Sequence, residues 1–205
     1  LAYTLDGDKN AFIAKVSQVL EAYPKQSLDT LMNLIDSHDT VRALTYLSGV
    51  TPPERKRDRA EYRLNGTDYA LAKKRLKFAS ALQYTLPGVP CLYYGDEAGV
   101  QGFEDPLNRG TYPWGREDGE LIEHYKSLGR MRERYKKHFE GETYFVNDEE
   151  ILIYRRKSEA GVLTVYANAA NRAVMRDCNG KDAVSGEVIK DKLIVEPCTV
   201  RIILG

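Results

Sequence analysis

The sequence predicts an α/β segment followed by an all-β segment, and three observations carry that reading. Up to about residue 137, helical periodicity alternates with two short apolar runs of strand length. Both runs end in polar clusters, and from about Thr143 the apolar period changes to two. Asn10–Tyr23 places Phe12, Ile13, Val16, Val19 and Leu20 at helical spacing, with Pro24 as the stop. After a polar link, Leu31–Ile35 is a nearly continuous apolar run, the pattern of a strand buried on both faces of a parallel sheet. It breaks off at Asp36-Ser37-His38-Asp39. Thr40–Leu47 predicts a short helix closed by Gly49, and Pro52-Pro53 opens a charged stretch. Within that stretch, residues 54–63 carry five basic and three acidic side chains and read as a solvated loop or helix face. Tyr69–Leu86 predicts a long helix with Leu71, Leu76, Phe78, Ala79 and Leu82 available for burial, ended by Pro87-Gly88. Val89–Tyr94 is the second buried-strand run, ended by Gly95-Asp96-Glu97. A glycine-rich, aromatic loop reaches to about Asp118, and Leu121–Lys137 predicts a third helix with Leu121, Tyr125, Leu128 and Met131 on one side. Beyond it, residues 151–154, 162–166, 173–175, 193–195 and 200–204 read as strands separated by Gly, Asn and Asp turns.

Composition excludes several classes of function. The chain has 205 residues with 30 Lys and Arg against 30 Asp and Glu, so bulk charge does not drive it onto nucleic acid or an anionic membrane. At 42% hydrophobic and 29% charged residues it has the make-up of a globular chain with material for a core. No apolar run approaches the roughly 18–20 residues that span a bilayer, and the first residues lack a basic and then apolar leader pattern. Neither nucleic acid nor membrane is expected as a partner. A first residue of Leu, on the approach to a helix, suggests a processed chain or a piece of a longer one. Cys91, Cys178 and Cys198 show no Cys-x-x-Cys or Cys/His metal spacing and read as structural thiols. No metal and no cofactor is expected. A reducing compartment, hence a cytoplasmic location, fits these thiols best, though a secreted bacterial protein could also carry them.

In parallel α/β architectures reactive groups gather at the C-terminal ends of strands, where side chains and following loops share one open face. His38 and Asp39 occupy that place after the first apolar run. By themselves they leave two readings open, since Asp39 could cap the next helix and His38 could be a hydrogen-bonded wall residue. The second run exits into a matching polar loop, Gly95-Asp96-Glu97 and then Asp105-Pro106-Leu107-Asn108-Arg109, with Tyr112 and Trp114 close by. Aromatic rings beside carboxylates and an arginine suit carbohydrate, because sugar rings offer apolar CH faces to stack on and hydroxyl pairs that a carboxylate or guanidinium holds bidentately. A surface loop with an Asp-Pro turn is the alternative.

The run Asn33-Leu34-Ile35-Asp36-Ser37-His38-Asp39-Thr40, then Leu86-Pro87-Gly88-Val89-Pro90-Cys91-Leu92-Tyr93-Tyr94-Gly95-Asp96-Glu97, then the Asp105-Pro106-x-x-Arg109 loop, resembles the later part of an α-amylase-family glycoside hydrolase. The likeness is closest to the neopullulanase, cyclomaltodextrinase and maltogenic amylase branch. Two ordered motifs at a matching separation make it specific. The resemblance implies that residues 1–140 are the C-terminal part of a TIM (β/α)8 barrel, including its seventh and eighth strands, and that residues 141–205 form the C-terminal antiparallel β-sandwich domain that follows it. It also implies that His38 hydrogen-bonds hydroxyls of the sugar at the cleavage point and that Asp39 holds its adjacent 2- and 3-hydroxyls. Such contacts tighten as the ring flattens toward an oxocarbenium-like state, which makes Asp39 a transition-state stabiliser. Asp39 would further help to raise the pKa of the acid carboxyl by like-charge repulsion. Asp105 and Arg109 match loop residues that grip a sugar further toward the non-reducing end.

The family's nucleophile and acid/base lie on the fourth and fifth barrel strands, and no Asp or Glu of this chain stands in a matching motif. The expectation is therefore a C-terminal fragment of a retaining hydrolase of α-1,4-glucans such as cyclodextrins, maltodextrins, starch or pullulan, inactive when isolated. Two barrel strands cannot close a barrel, so self-association through open edges is expected as well. A non-catalytic relative that binds sugar or protein is the alternative. A third reading makes the β-domain an independent glucan-binding module. It is the weaker one, because Tyr144, Phe145, Tyr154 and Tyr166 mostly occupy strand positions where core packing is commoner.

Overall fold

The computed structural model describes residues 1–205. Helices α1 (Ala2–Asp6), α2 (Lys9–Ala22) and α3 (Lys25–Thr30) lead into strand β1 (Met32–Asn33). The chain then passes through α4 (Ala43–Ser48), α5 (Lys56–Glu61) and the long α6 (Gly66–Thr85) to β2 (Val89–Pro90), and α7 (Gly119–Arg134) follows. β1 and β2 pair in parallel, Met32 beside Val89 and Asn33 beside Pro90, joined by the helical crossover that parallel neighbours require. The three long helices, α2, α6 and α7, start where a side chain satisfies free amides. Asp8 accepts from the Ala11 amide, Asn65 from that of Asp68, and Asp118 from those of Glu120 and Leu121.

Eight strands follow: β3 (Glu142–Val146), β4 (Leu152–Ser158), β5 (Gly161–Asn168), β6 (Val174–Asp177), β7 (Gly180–Asp182), β8 (Val188–Ile189), β9 (Lys192–Val195) and β10 (Thr199–Leu204). Six make one antiparallel sheet in the order β3-β4-β5-β10-β7-β8, and β6 pairs with β9 as a second. Alternation along β4 and the residue before it sends side chains to two cores. Ile151 and Ile153 join Tyr166, Leu193, Val195 and Ile203 between the sheets. Leu152 and Tyr154 join Leu163, Val165 and Ile202 on the other face of the large sheet, against Phe78, Leu82, Leu128 and Met131 of α6 and α7 and Tyr3 of α1. One apolar core therefore runs from the helices into the β-sheet. Phe139 reinforces that seam, its ring centre 4.6 Å from the guanidinium of Arg132 and 5.7 Å from that of Arg156.

Several expectations need correction. The two apolar runs were expected to be strands buried on both faces, yet regular pairing covers two residues of each and Met32, Leu34 and Val89 are 65%, 50% and 50% exposed. Each strand has the other as its only partner, so the outer edges of both strands are open. Leu71, assigned to the buried face of the long helix, is exposed, and α2 buries no residue fully, its Phe12 and Ile13 packing partly onto the main core. The third helix gives way to a short 3-10 turn at Lys136–Glu140 before residue 137. Cys91 and Cys198 are partly buried and Cys178 is buried, all as free thiols.

Candidate functional site

At the end of β1 the chain makes a tight polar turn. Thr40 Oγ1 accepts from the Ser37 amide at 3.0 Å, the Thr40 amide donates back to the Ser37 carbonyl at 3.3 Å, and Ser37 Oγ accepts from the Asp39 amide at 3.2 Å. These local bonds hold His38 and Asp39 at the tip, exposed, with His38 Nε2 3.3 Å from Asp39 Oδ1. Asp39 does not cap the following helix: Asp36 does that work, accepting from the Ala43 amide at 2.7 Å. The helix-cap part of the structural reading of the dipeptide is thereby removed.

The loop after β2 folds onto this turn. Its short 3-10 segment Leu107–Arg109 presents Arg109, whose Nε lies 2.6 Å from Asp105 Oδ1 and whose Nη2 lies 3.9 Å from Asp39 Oδ1. His38, Asp39, Asp105 and Arg109 thus form one chain of polar contacts at the C-terminal ends of the two parallel strands. All four are substantially exposed, so the ion pairs add little stability and remain available to a ligand. Farther along the loop the rings of Tyr112 and Trp114 lie 4.5 Å apart, and Trp114 is 80% exposed.

Beneath the exposed cluster is a buried polar floor that the sequence reading missed. Arg42, completely buried, stacks over Tyr93 and Tyr94, with its guanidinium 4.0 and 4.7 Å from their ring centres. Its Nε donates to the Asn108 carbonyl at 2.7 Å and its Nη1 to the Tyr94 carbonyl at 2.5 Å, and Nη1 lies 3.5 Å from Asp96 Oδ1. Burial, and after it the neighbouring Asp36 carboxyl, pushes the Asp96 pKa up to about 9, against the pull of Arg42. Asn108, also completely buried, donates from Nδ2 to the carbonyls of His38 at 2.8 Å and Thr40 at 2.7 Å. Asp36, Asp96 and Asn108 stood in the polar clusters after the two strands, so their position was a signal. Arg42 gave none: it lies within the predicted Thr40–Leu47 helix with nothing to single it out. No cluster of three or more His, Cys, Asp or Glu side chains suited to a metal ion is present.

Known proteins share this chain's sequence and fold. It is 38% identical over 169 residues, 82% of its length, to an amylopullulanase of Thermoanaerobacter thermohydrosulfuricus. To a cyclomaltodextrinase of Geobacillus thermopakistaniensis it is 30% identical over 173 residues. Maltogenic α-amylase and neopullulanase are among its further relatives. The chain belongs to the α-amylase family. This α-amylase-family chain spans only about 10% and 26% of the length of the first two relatives. No family model matches it. In fold it superimposes on the cyclic α-maltosyl-(1→6)-maltose hydrolase of Arthrobacter globiformis with a TM-score of 0.75 at 22% identity, over all of this chain and 42% of the other. That hydrolase has been solved in complex with cyclic α-maltosyl-(1→6)-maltose and with maltose.

Proposed function

We propose that this chain is the part of an α-glucan-cleaving glycoside hydrolase that grips the sugar at and next to the cleavage point. On this reading β1 and β2 are the seventh and eighth strands of a TIM barrel, residues 1–140 are the barrel's C-terminal part, and residues 141–205 are the β-sandwich that follows. The observation that carries it is the contact chain His38–Asp39–Arg109–Asp105 at the open ends of two parallel strands. In this role Asp39 accepts from the adjacent 2- and 3-hydroxyls and His38 donates to a hydroxyl of the same sugar. Both contacts strengthen as the ring flattens, so they lower the barrier more than they tighten the ground state. Asp105 and Arg109, already paired at 2.6 Å, offer a bidentate edge to the next sugar toward the non-reducing end, and the exposed Trp114 offers a stacking face.

Retaining hydrolysis needs a nucleophilic carboxylate and a proton donor about 5–5.5 Å apart, and the family's positions for both fall outside these residues. The isolated chain is accordingly inactive and binds glucans weakly, since it forms one wall of the cleft. Its open strand pair, with Met32, Leu34 and Val89 exposed, supports self-association of the isolated chain. The free thiols suit a cytoplasmic protein. Reducing-end release from maltodextrin and cyclodextrin tests the reading. The full-length protein should turn both over and the purified 205-residue chain neither, whereas turnover by the isolated chain would overturn the proposal.

A further inference from the structure

We propose that Asn108 is the positioning residue of this site, clamping the backbone on both sides of Asp39 and so setting that carboxylate against Arg109. This rests on the reading of Asp39 as a transition-state contact. From within, the turn is held by the small Ser37 and Thr40 hydroxyls and one backbone bond from the Thr40 amide to the Ser37 carbonyl, all near the surface. The completely buried Asn108 adds an attachment from below, its amide reaching the carbonyl before Asp39 and the carbonyl after it, those of His38 and Thr40, at 2.8 and 2.7 Å. Both acceptors lie on one nitrogen, so the side chain must supply two N–H donors from a single atom at the end of a short stem. Among side chains of this length only asparagine does so. Aspartate would turn an acceptor onto two carbonyls, and leucine would match the shape and supply a donor to neither.

Asn108 is itself immobilised. Arg42 Nε holds its backbone carbonyl at 2.7 Å, and Arg42 is fixed in turn by the Tyr94 carbonyl and by stacking on Tyr93 and Tyr94. The Arg42 amide donates to the Gly102 carbonyl at 3.0 Å, and a Cβ at Gly102 would lie 2.2 Å from the Leu107 carbonyl oxygen and 3.0 Å from the Asn108 Cα. Only glycine lets the segment carrying Asn108 pack this closely. Because Arg109 is the next residue, a single rigid segment fixes Asp39 through its backbone and meets its carboxylate through a guanidinium. A shift of about 1 Å in a reacting or stabilising group can cost about a hundredfold in rate, so this clamp acts on turnover rather than on affinity alone.

The test uses the full-length protein. Asn108→Leu and Asn108→Asp should each lower kcat about a hundredfold, equivalent to about 2.7 kcal/mol, with KM within about threefold of wild type. A folded variant with a lower Tm but an unchanged kcat per folded molecule would reduce Asn108 to a structural role and overturn the inference. Should both variants fail to fold, the wild-type protein still decides. With selective 15N-asparagine labelling, the Asn108 side-chain NH2 protons should exchange with water far more slowly than those of exposed asparagines, and equal rates would overturn the clamp. A full-length wild type without glucan turnover would instead sink the functional reading, leaving the exchange measurement to judge the clamp alone.

Discussion

Asp39 is held through its backbone while its carboxylate is met by His38 and Arg109, so its oxygens are oriented without being enclosed. On the proposed reading, Asp39→Asn in the full-length protein keeps the shape but removes the negative charge that stabilises positive charge on the flattened ring. Steady-state kinetics on maltodextrin should show kcat lower by orders of magnitude with a smaller change in KM, and a variant as active as wild type would remove Asp39 from the mechanism. Asp96, in the floor below, gives a prediction of a different kind. Its pKa of about 9 in the fold stands above the ordinary 3.8, because burial and then Asp36 disfavour its ionised form. The stability this brings is full below about pH 3.8 and is lost as pH rises through about 9, the window in which the unfolded chain binds fewer protons than the folded one. Asp148, held down to about 2 chiefly by its bonds to Arg176, acts in the opposite sense at acid pH and cancels in a comparison of variants. Asp96→Asn cannot titrate, so its Tm minus that of wild type should grow as pH is raised from about 5 to about 9. A constant difference would show that Asp96 is already ionised at neutral pH.

Among the elements, α7 was the most legible: Leu121, Tyr125, Leu128 and Met131, spaced to share one face, are all buried. The core of α6 was legible too, and Leu76→Ala there should cost about 2–5 kcal/mol in denaturant unfolding, since Leu76 is completely enclosed. α3 and α5 were not legible, because short polar helices carry no apolar stripe to betray them. β7 and β8, three and two residues long, are too short to show an alternation: β8 pairs with β7 across a nearby turn, and β7 is joined to the sheet by β10. The runs at β1 and β2 were recognised as strands by their apolar content, but whether both faces are covered depends on neighbours in space that periodicity does not report. The same limit separates the exposed site from its floor. His38, Asp39, Asp105 and Arg109 could be singled out because polar residues follow apolar runs, whereas the interior place of Arg42 is a property of the folded loops. The open pair gives its own expectation. Light scattering on the isolated chain should show mass rising with concentration, and Met32→Lys with Leu34→Lys should suppress the rise by placing charge on the exposed strand. A concentration-independent monomer would count against association through this edge.

At the scale of the whole molecule, helices and large sheet share one core, and a buried hydrogen bond between the hydroxyls of Thr85 and Tyr154 crosses the seam. Calorimetry should therefore record one cooperative transition for the chain. Tyr154→Phe should lower its Tm modestly, on the order of 0.5–1.5 kcal/mol in stability, without splitting it. Two separated transitions would show that the seam is weaker than its packing implies. The same seam has a consequence in time. The Tyr3 hydroxyl donates to the carbonyl of Ala167, so a residue made at the start of this chain is completed by one made 164 positions later. At about 5–20 residues per second, a ribosome needs about 10–30 s to cover that distance, and the exit tunnel delays the meeting further. For that interval Tyr3, joined over its second half by Phe78 and Leu82, lacks the sheet that covers it, which makes the nascent chain a client for whatever shields apolar surface until the last strands emerge.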